Sequence, residues 1–595
     1  MQKKLNLNWK TIKMFLCALL IPAINFYLLE FYTHNGFVEV RPWAQLFNIV
    51  LYELMLLFLF FLTRSLRVAL RIETVFSMLF GLVNYYVYTF RSLPLVPWDL
   101  FSFKTAASVA GNYNFLPEPR VIVVIACFVL LFIAEHFLNY KLKQHAWSKT
   151  VLGAIMAAVV LISFSVKVQA EDFQNSHRLY NKLFTPVYMW QVNGLVLTFV
   201  MDLPFLTIDK PDGYSVQEAK EVLETYEEDT TESAAHSVYP NIIAVMNESF
   251  SDLAVLGDFT ASQDYMPFFH QMEQGADNTM TGYLNVSVLG GNTPNTEFEF
   301  LTGNSMAFLP QGSIPYQQYI TQSIPALPEY LRTLGYATYA MHPYYASGWS
   351  RETVYPLLGF DASYFIKDYY GAEYVRNYIS DKSSVDKIIE VYENKQTGEP
   401  AFIFNVTMQN HGGYYDKFDN FTPDITVENS SSYSLSSYLS LIKLTDESLR
   451  TLVSYFSLVE EPTVIVFFGD HQPSDSVAEP ILALNGMSYK TLTEEETKNR
   501  YKVPFMIWAN YDIQEAQHIE TSVNYLSSVL LSAAGVPKTD YQSFLSEHME
   551  LYPVISAQRI VNSAGEDVLK SEVQEELSTY QKLQYYQIFD VQEEE

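Results

Sequence analysis

Gly290-Gly-Asn-Thr-Pro-Asn-Thr-Glu-Phe-Glu-Phe300 is the stretch from which the rest of the chain can be read. Two glycines end an extended segment, Thr293 stands where a helix takes its N-cap, Pro294 fits the first helical position, and Glu297 falls in the first turn. The pattern predicts a helix whose N-terminus presents one hydroxyl. Backbone N–H groups and the helix dipole there favour an anion, so the position suits a phosphate and a Thr alkoxide held beside a metal. An ordinary capped helix carries the same residues, so the surroundings must decide.

Those surroundings alternate apolar runs with amphipathic helical stretches, which predicts an α/β fold with helices flanking a largely parallel sheet. The strand candidates are Asn241 to Met246, Ala337 to Met341, Ala401 to Thr407, Thr463 to Phe468 and Val503 to Trp508. Ligands in such sheets gather at the C-terminal strand ends. Glu248 follows the first candidate, His342 the second, His411 the third, and Asp470-His471 the fourth. Glu248, Asp470 and His471 offer two hard oxygen ligands and one imidazole nitrogen. With the Thr293 hydroxyl they form a set suited to Mn²⁺, or to Mg²⁺. Such a cation lowers the hydroxyl's pKa and offsets charge on a transferring phosphoryl group. The loop His342-Pro-Tyr-Tyr-Ala-Ser-Gly-Trp-Ser-Arg351 gathers His342, Trp349 and Arg351. Arg brings a bidentate fork for phosphate, while Trp349 is equally readable as packing. His411, beside two glycines, reads as a general acid for the leaving oxygen or as a neutral loop histidine.

Charge divides the chain. Of 37 Lys and Arg and 66 Asp and Glu, 15 and 7 fall at or before Ala170, leaving 22 and 59 beyond it. So acidic a C-terminal part argues against nucleic acid as a partner and for solubility and cation attraction. The two cysteines, Cys17 and Cys127, both lie in apolar runs, so the polar part has no disulfide, which fits a bacterial surface. Asn-x-Ser/Thr triplets begin at Asn247, Asn285, Asn405, Asn420 and Asn429; the first abuts Glu248, where a glycan would block a metal site.

Five runs are long and apolar enough to span a bilayer: Met14 to Tyr32, Ala44 to Leu62, Thr74 to Phe90, Val121 to Leu138 and Val151 to Val168. Basic residues crowd before the first (Lys3, Lys4, Lys10, Lys13), after the second (Arg64, Arg67, Arg71) and after the fourth (Lys141, Lys143, Lys149). The positive-inside rule then places the N-terminus in the cytoplasm and everything after Val168 outside. Glu53 falls mid-span, where an interhelical hydrogen bond is the expected role. The loop from Ser92 to Pro119, with Trp98, reads as an interfacial segment. These features predict a five-helix transmembrane domain over 1-170, a linker with helices over 171-239, a catalytic domain over 240-545 and an acidic extension over 546-595, with a candidate cleavage site at Val168-Gln-Ala170.

The motifs together resemble the lipoteichoic acid synthase family, membrane phosphoglycerol transferases of Gram-positive bacteria whose exported domain is of the sulfatase and alkaline phosphatase superfamily. The resemblance implies a Thr nucleophile in Gly291-Asn-Thr-Pro-Asn-Thr-Glu-Phe298, hence Thr293. It implies metal ligation by Glu248 of Asn247-Glu-Ser-Phe250 and by Asp470 and His471, substrate binding by His342, Trp349 and Arg351, and a further active-site histidine at His411. Leu309-Pro-Gln-Gly-Ser313 also looks like a family segment. Gln472-Pro473 and the neighbours of Thr293 depart from the family pattern and leave the acceptor open.

The expected activity is transfer of glycerol phosphate from phosphatidylglycerol, through a covalent Thr adduct, to lipoteichoic acid or a related wall polymer, with release of diacylglycerol. The alternatives are a phosphoethanolamine transferase or other hydrolase of the superfamily, and a surface protein that binds polymer without turning it over. A sulfatase proper needs a Cys or Ser in a Cys/Ser-x-Pro-x-Arg pattern, and no such pattern surrounds Thr293.

Overall fold

A computed structural model describes residues 9–91, 94–100, 116–142, 147–180, 186–226, 239–310, 313–489 and 491–591. The chain divides into two compact units, Met1–Ile208 and Asp209–Glu595.

The first unit is helical. Its long helices α1 (Trp9–Glu30), α2 (Pro42–Thr63), α3 (Leu66–Arg91), α4 (Pro119–Ala134) and α5 (Trp147–Gln169) fall on the five apolar runs, and the short α6 (Pro186–Asn193) and α7 (Leu195–Asp202) follow. Among the described residues three helical stretches, Pro42–Thr63, Pro119–Phe137 and Ser148–Gln169, are long and apolar enough to cross a membrane. The apolar part of α1 is shorter, Met14–Glu30. α3 exchanges hydropathy for buried Glu73, Thr74, Ser77 and Asn84, and the Thr74 hydroxyl donates to Glu135 Oε1 (2.6 Å) and Asn25 Oδ1 (3.1 Å). The expected hydrogen bond of Glu53 is not formed at Oε1, which is buried without a partner. Trp98 is buried in a short turn, Pro97–Leu100, instead of facing an interface; residues 101–115 of that loop lie outside the described residues.

The expected boundary at Ala170 falls inside the first unit, because α7 is tied to it by polar contacts. Leu195 N donates to Glu30 Oε1 (2.8 Å), Asn48 Nδ2 to Asn193 O (2.7 Å) and Leu197 N to Asn48 Oδ1 (3.0 Å).

In the second unit α8 (Val216–Glu224) precedes a mixed sheet. Its strands are β1 (Asn241–Asn247), β2 (Thr279–Asn285), β3 (Ala337–Met341), β4 (Ala362–Tyr364), β5 (Ala401–Val406), β6 (Thr463–Gly469), β7 (Lys502–Ala509) and β8 (Ala516–Ser522). Their spatial order is β8-β2-β7-β6-β1-β5-β3-β4. Only β7 runs against the rest, pairing antiparallel with β6 and β2. The central β1, β5 and β6 are buried along their whole length, which is why they read as continuous apolar runs. Three strands escaped the sequence pattern. β8 is a polar edge strand; β4 has three residues; and Gly282 interrupts β2, where an added Cβ would lie 1.9 Å from the Ile519 carbonyl oxygen of β8.

Helix α9 (Thr293–Thr302) is buried along its length against the sheet. The helix Tyr433–Phe456 buries one face in a core built from β1, β5 and β6. Residues after 545, expected as a separate extension, are part of this unit. Ile555, Leu577, Tyr580 and Leu583 pack with Ala219, Phe308 and Tyr525, and the Tyr580 hydroxyl donates to Gly303 O (2.6 Å) at the end of α9. Asn247, Asn285 and Asn405 are buried, which excludes glycans at those three triplets. Residues 227–238 and 592–595 lie outside the described residues.

Candidate active site and metal centre

Parallel strands deliver their following loops to one edge of the sheet, and the expected ligands meet there. Glu248, Asp470 and His471 are buried, and each offers a ligand atom within 4.8 Å of the others. His471 Nε2 stands 3.2 Å from Asp470 Oδ2 and 3.7 Å from Glu248 Oε1. Gly469 makes the turn possible, because a Cβ there would lie 2.0 Å from Phe250 O. Asp470 is held through Oδ1, which accepts from Ser249 N (2.7 Å) and His471 N (2.8 Å). The imidazole is oriented by its Nδ1, which donates to Gln472 O at 2.9 Å, and this turns the lone pair of Nε2 inward.

Asp470 Oδ2 and His471 Nε2 are buried with no hydrogen-bond partner. Orphaned acceptors in a buried O, O, N set fit a divalent cation, and no other such group occurs among the described residues. Burial, then the charge of Asp470, holds the Glu248 carboxyl well above the usual carboxylate range, and burial raises Asp470 as well. A bound cation reverses both tendencies.

Thr293 is not the N-cap. Asn292 occupies that place in the left-handed region (φ 63°) with no side-chain cap bond, Thr293 is the first helical residue and Pro294 the second. The reason lies in the turn, which Gly290 N fixes by donating to Gln472 O (3.1 Å) in the loop after β6. Released from capping, the buried Thr293 hydroxyl acts on the Glu248 and Asp470 carboxyls, lowering the pKa of each against the effect of burial. One turn on, the Thr296 hydroxyl donates to Asp470 O (2.8 Å), pinning α9 to the loop after β6.

The loop after β3 brings in the residues expected to bind substrate. Arg351 is buried and ion-paired with Glu297: Nε donates to Oε1 (3.0 Å) and Nη2 donates to the same oxygen. Glu297 also accepts from the Tyr355 hydroxyl (2.8 Å). His342 Nδ1 donates to Val406 O (2.9 Å), so Nε2 accepts from Arg351 Nη1 (3.2 Å). Burial and the neighbouring guanidinium push the His342 pKa well below its ordinary value, which keeps the ring neutral and makes it a positioner of Arg351. Trp349 and Ser350 both adopt left-handed backbone (φ 56° and 59°), costing roughly 1–3 kcal/mol each, and Trp349 is half-buried.

His411 stands at the solvent-exposed rim, its Nδ1 3.1 Å from the Tyr378 hydroxyl. Its loop is clasped by buried Arg376, which donates to the carbonyls of Gln409 (2.7 Å), His411 (2.6 Å) and Gly412 (3.2 Å). Beneath lies a buried network: Asn247 Nδ2 donates to Asp381 Oδ2 (2.8 Å), Asn410 Nδ2 to Asn247 Oδ1 (2.9 Å), and Thr445 Oγ1 to Asp381 Oδ2 (2.6 Å). Glu297, Arg376, Tyr378 and Asp381 had no role assigned from sequence. Glu297 had a signal, since a carboxylate one turn behind Thr293 faces the same cleft. Arg376 sits in the turn of a hairpin with two-residue strands, Tyr378 in its second strand and Asp381 at a helix start, none within a periodic pattern long enough to read.

Residues 240–536 match the Sulfatase family. A putative cyclic β-1,2-glucan modification protein of Rhizobium meliloti is 30% identical over 67% of this chain, which spans 62% of that protein's length. Lipoteichoic acid synthase 1 of Bacillus subtilis is 23% identical over 73% of this chain and 67% of its own length. Residues 240–536 thus belong to the Sulfatase family, of the alkaline phosphatase superfamily, and the chain is similar to lipoteichoic acid synthases. Among solved structures, Streptococcus pyogenes phosphoglycerol transferase GacH in complex with sn-glycerol-1-phosphate matches at TM-score 0.52 and 22% identity, over 64% of this chain and 95% of that one, a likeness that establishes the fold. The superfamily is metal-dependent, in agreement with the Glu248, Asp470 and His471 cluster.

Proposed function

We propose that the chain is a membrane-bound transferase that moves glycerol phosphate from phosphatidylglycerol to an acceptor hydroxyl of a cell-envelope polymer. The single observation that carries this reading is a helix-start hydroxyl, Thr293, within reach of two buried carboxylates, beside a ligand set with orphaned acceptors.

Thr293 Oγ1 attacks phosphorus, its proton passes to a carboxylate of the cluster, and the bond from phosphorus to the diacylglycerol oxygen breaks. Tyr378 engages His411 Nδ1, which leaves Nε2 to protonate the departing oxygen. An acceptor hydroxyl then attacks the glycerophosphoryl-Thr293 adduct, and the Thr oxygen leaves and regains its proton. Arg351, aimed by Glu297 and His342, orients the phosphoryl oxygens. Glu248, Thr293, Asp470 and His471 would hold Mn²⁺ or Mg²⁺, which supplies charge neutralisation at phosphorus and a lowered pKa at the nucleophile.

A lipid donor accounts for a catalytic unit joined to apolar helices, and the basic residues flanking α1, α2 and α4 support five spans with that unit outside. Names among the relatives support both a glycerol phosphate group and an envelope glycan or polymer as substrates.

Exposure of the wild type to phosphatidylglycerol should release diacylglycerol and leave a glycerophosphoryl adduct on the peptide containing Thr293. Thr293→Ala should fold, because the residue caps nothing, and release none. Diacylglycerol release by Thr293→Ala at a near wild-type rate refutes the mechanism.

A further inference from the structure

The guanidiniums that act electrostatically on Glu248 are Arg351 and Arg376, and both are buried. Arg351 is committed to Glu297 and His342, and Arg376 to three backbone carbonyls. Arg351 serves the one phosphoryl group in transfer, and neither of these two guanidiniums is left as a second fork for the phosphates of an acceptor chain. The whole of residues 209–595 carries 20 Lys and Arg against 56 Asp and Glu, so a polyanionic acceptor meets repulsion on approach.

What surrounds the site instead is aromatic. Rings run in contact from His342 to Tyr344 (centroids 6.2 Å), Tyr344 to Tyr378 (6.1 Å) and Tyr378 to His411 (5.3 Å), with Tyr345 packed edge-on to Tyr344 at 4.8 Å. Tyr344, Tyr345 and Tyr378 are half-buried, and Tyr415, next along the His411 loop, is 70% exposed while its neighbour Tyr414 is buried. This arc joins the phosphate-orienting loop to the residue assigned to proton transfer. Its π faces suit the C–H faces of a pyranose ring.

We propose that the acceptor is an uncharged glycan, seated on the Tyr344, Tyr345, Tyr378 and Tyr415 arc, and not a growing glycerol-phosphate chain. The inference rests on the transferase reading of the same site. In the second step a sugar hydroxyl attacks phosphorus of the Thr293 adduct, the bond from phosphorus to the Thr oxygen breaks, Thr293 takes back the proton held by the cluster, and the sugar's proton restores His411 Nε2, which gave one to the diacylglycerol oxygen.

The test uses the full chain in vesicles of acyl-labelled phosphatidylglycerol, with either a neutral glucan heptasaccharide or a soluble glycerol-phosphate oligomer of matched length as acceptor. Diacylglycerol release reads the donor half and the mass of the acceptor reads the second half. The glucan should gain glycerol phosphate at least tenfold faster than the oligomer, and added salt should narrow the gap by screening. Tyr345→Ala should raise the KM for glucan roughly 2–10-fold, against an unchanged KM for phosphatidylglycerol, and Tyr345→Phe should restore it. Preferential modification of the oligomer, or diacylglycerol release with neither acceptor modified, overturns the glycan inference while the donor chemistry stands. An unchanged glucan KM in Tyr345→Ala does the same. No diacylglycerol release under any condition overturns the transferase reading and the inference with it.

Discussion

Asp470→Asn separates the metal's contribution to stability from its contribution to chemistry. The ligand atoms of Glu248 and Asp470 lie within 4.8 Å of each other, and two unit charges at that spacing repel by about 3 kcal/mol at an effective dielectric of 20. Asn keeps the shape, and its Oδ1 still accepts from Ser249 N and His471 N, although a neutral acceptor bonds them more weakly. Proton uptake by Glu248, whose pKa is raised, already relieves part of the repulsion in the wild type. The net expectation in chelator is an Asp470→Asn protein more stable than wild type by roughly 1–2 kcal/mol. With Mn²⁺ at about a hundred times its Kd, the wild type should gain about 2.7 kcal/mol by linkage and the variant far less, so the order reverses. Denaturant unfolding with and without Mn²⁺ reads both quantities, and activity should be lost in the variant throughout. An Asp470→Asn protein less stable than wild type in chelator, or equal stabilisation of both by Mn²⁺ as an acidic surface alone would give, refutes this account of the cluster.

Three further outcomes are expected. Glu297→Ala leaves the Arg351 cation buried without its partner and should cost about 3–5 kcal/mol by denaturant unfolding, with loss of phosphate orientation in kcat; a near-neutral effect on both would show that Arg351 is held by other groups. Glu299, fully buried, has its pKa raised from 4.5 to about 8 by burial, against bonds from Met306 N and Ser287. A raised folded pKa in an acid means that stability falls as pH rises from the unfolded value through the folded one, so wild type should lose about 2–3 kcal/mol more than Glu299→Gln between pH 6 and pH 9; parallel profiles would exclude Glu299 as the cause. For topology, a membrane-impermeant thiol reagent applied outside should label a cysteine placed at Ser237 and spare one at Lys143, both beyond the described residues, and the reverse pattern would overturn the proposed orientation.

Several features were legible without coordinates because they depend on local pattern. Buried parallel strands appear as continuous apolar runs, so β1, β3, β5, β6 and β7 were placed to within a residue or so at each end. Ligands placed straight after such strands must converge, since parallel strands share one C-terminal edge, and Glu248, Asp470 and His471 do so. The edge and interrupted strands β8 and β2 carry no such signal, because half their side chains face solvent or a glycine allows close backbone approach.

The sequence by itself determined the order of strands along the chain, the residues fit to ligate a metal, and the Thr offered beside them, because spacing and side-chain chemistry are local properties. Tertiary structure alone decided what Thr293 does with its hydroxyl. Asn292 takes the cap position because Gly290 is tied to the loop after β6, and the freed hydroxyl turns to carboxylates that are distant in sequence. It also decided that His342 serves Arg351, that Glu297 holds Arg351 in place, and that Arg376 and Tyr378 shape the His411 loop. Each of these pairings spans a separation along the chain that no periodicity encodes, so only the packing of the sheet and its loops could select it.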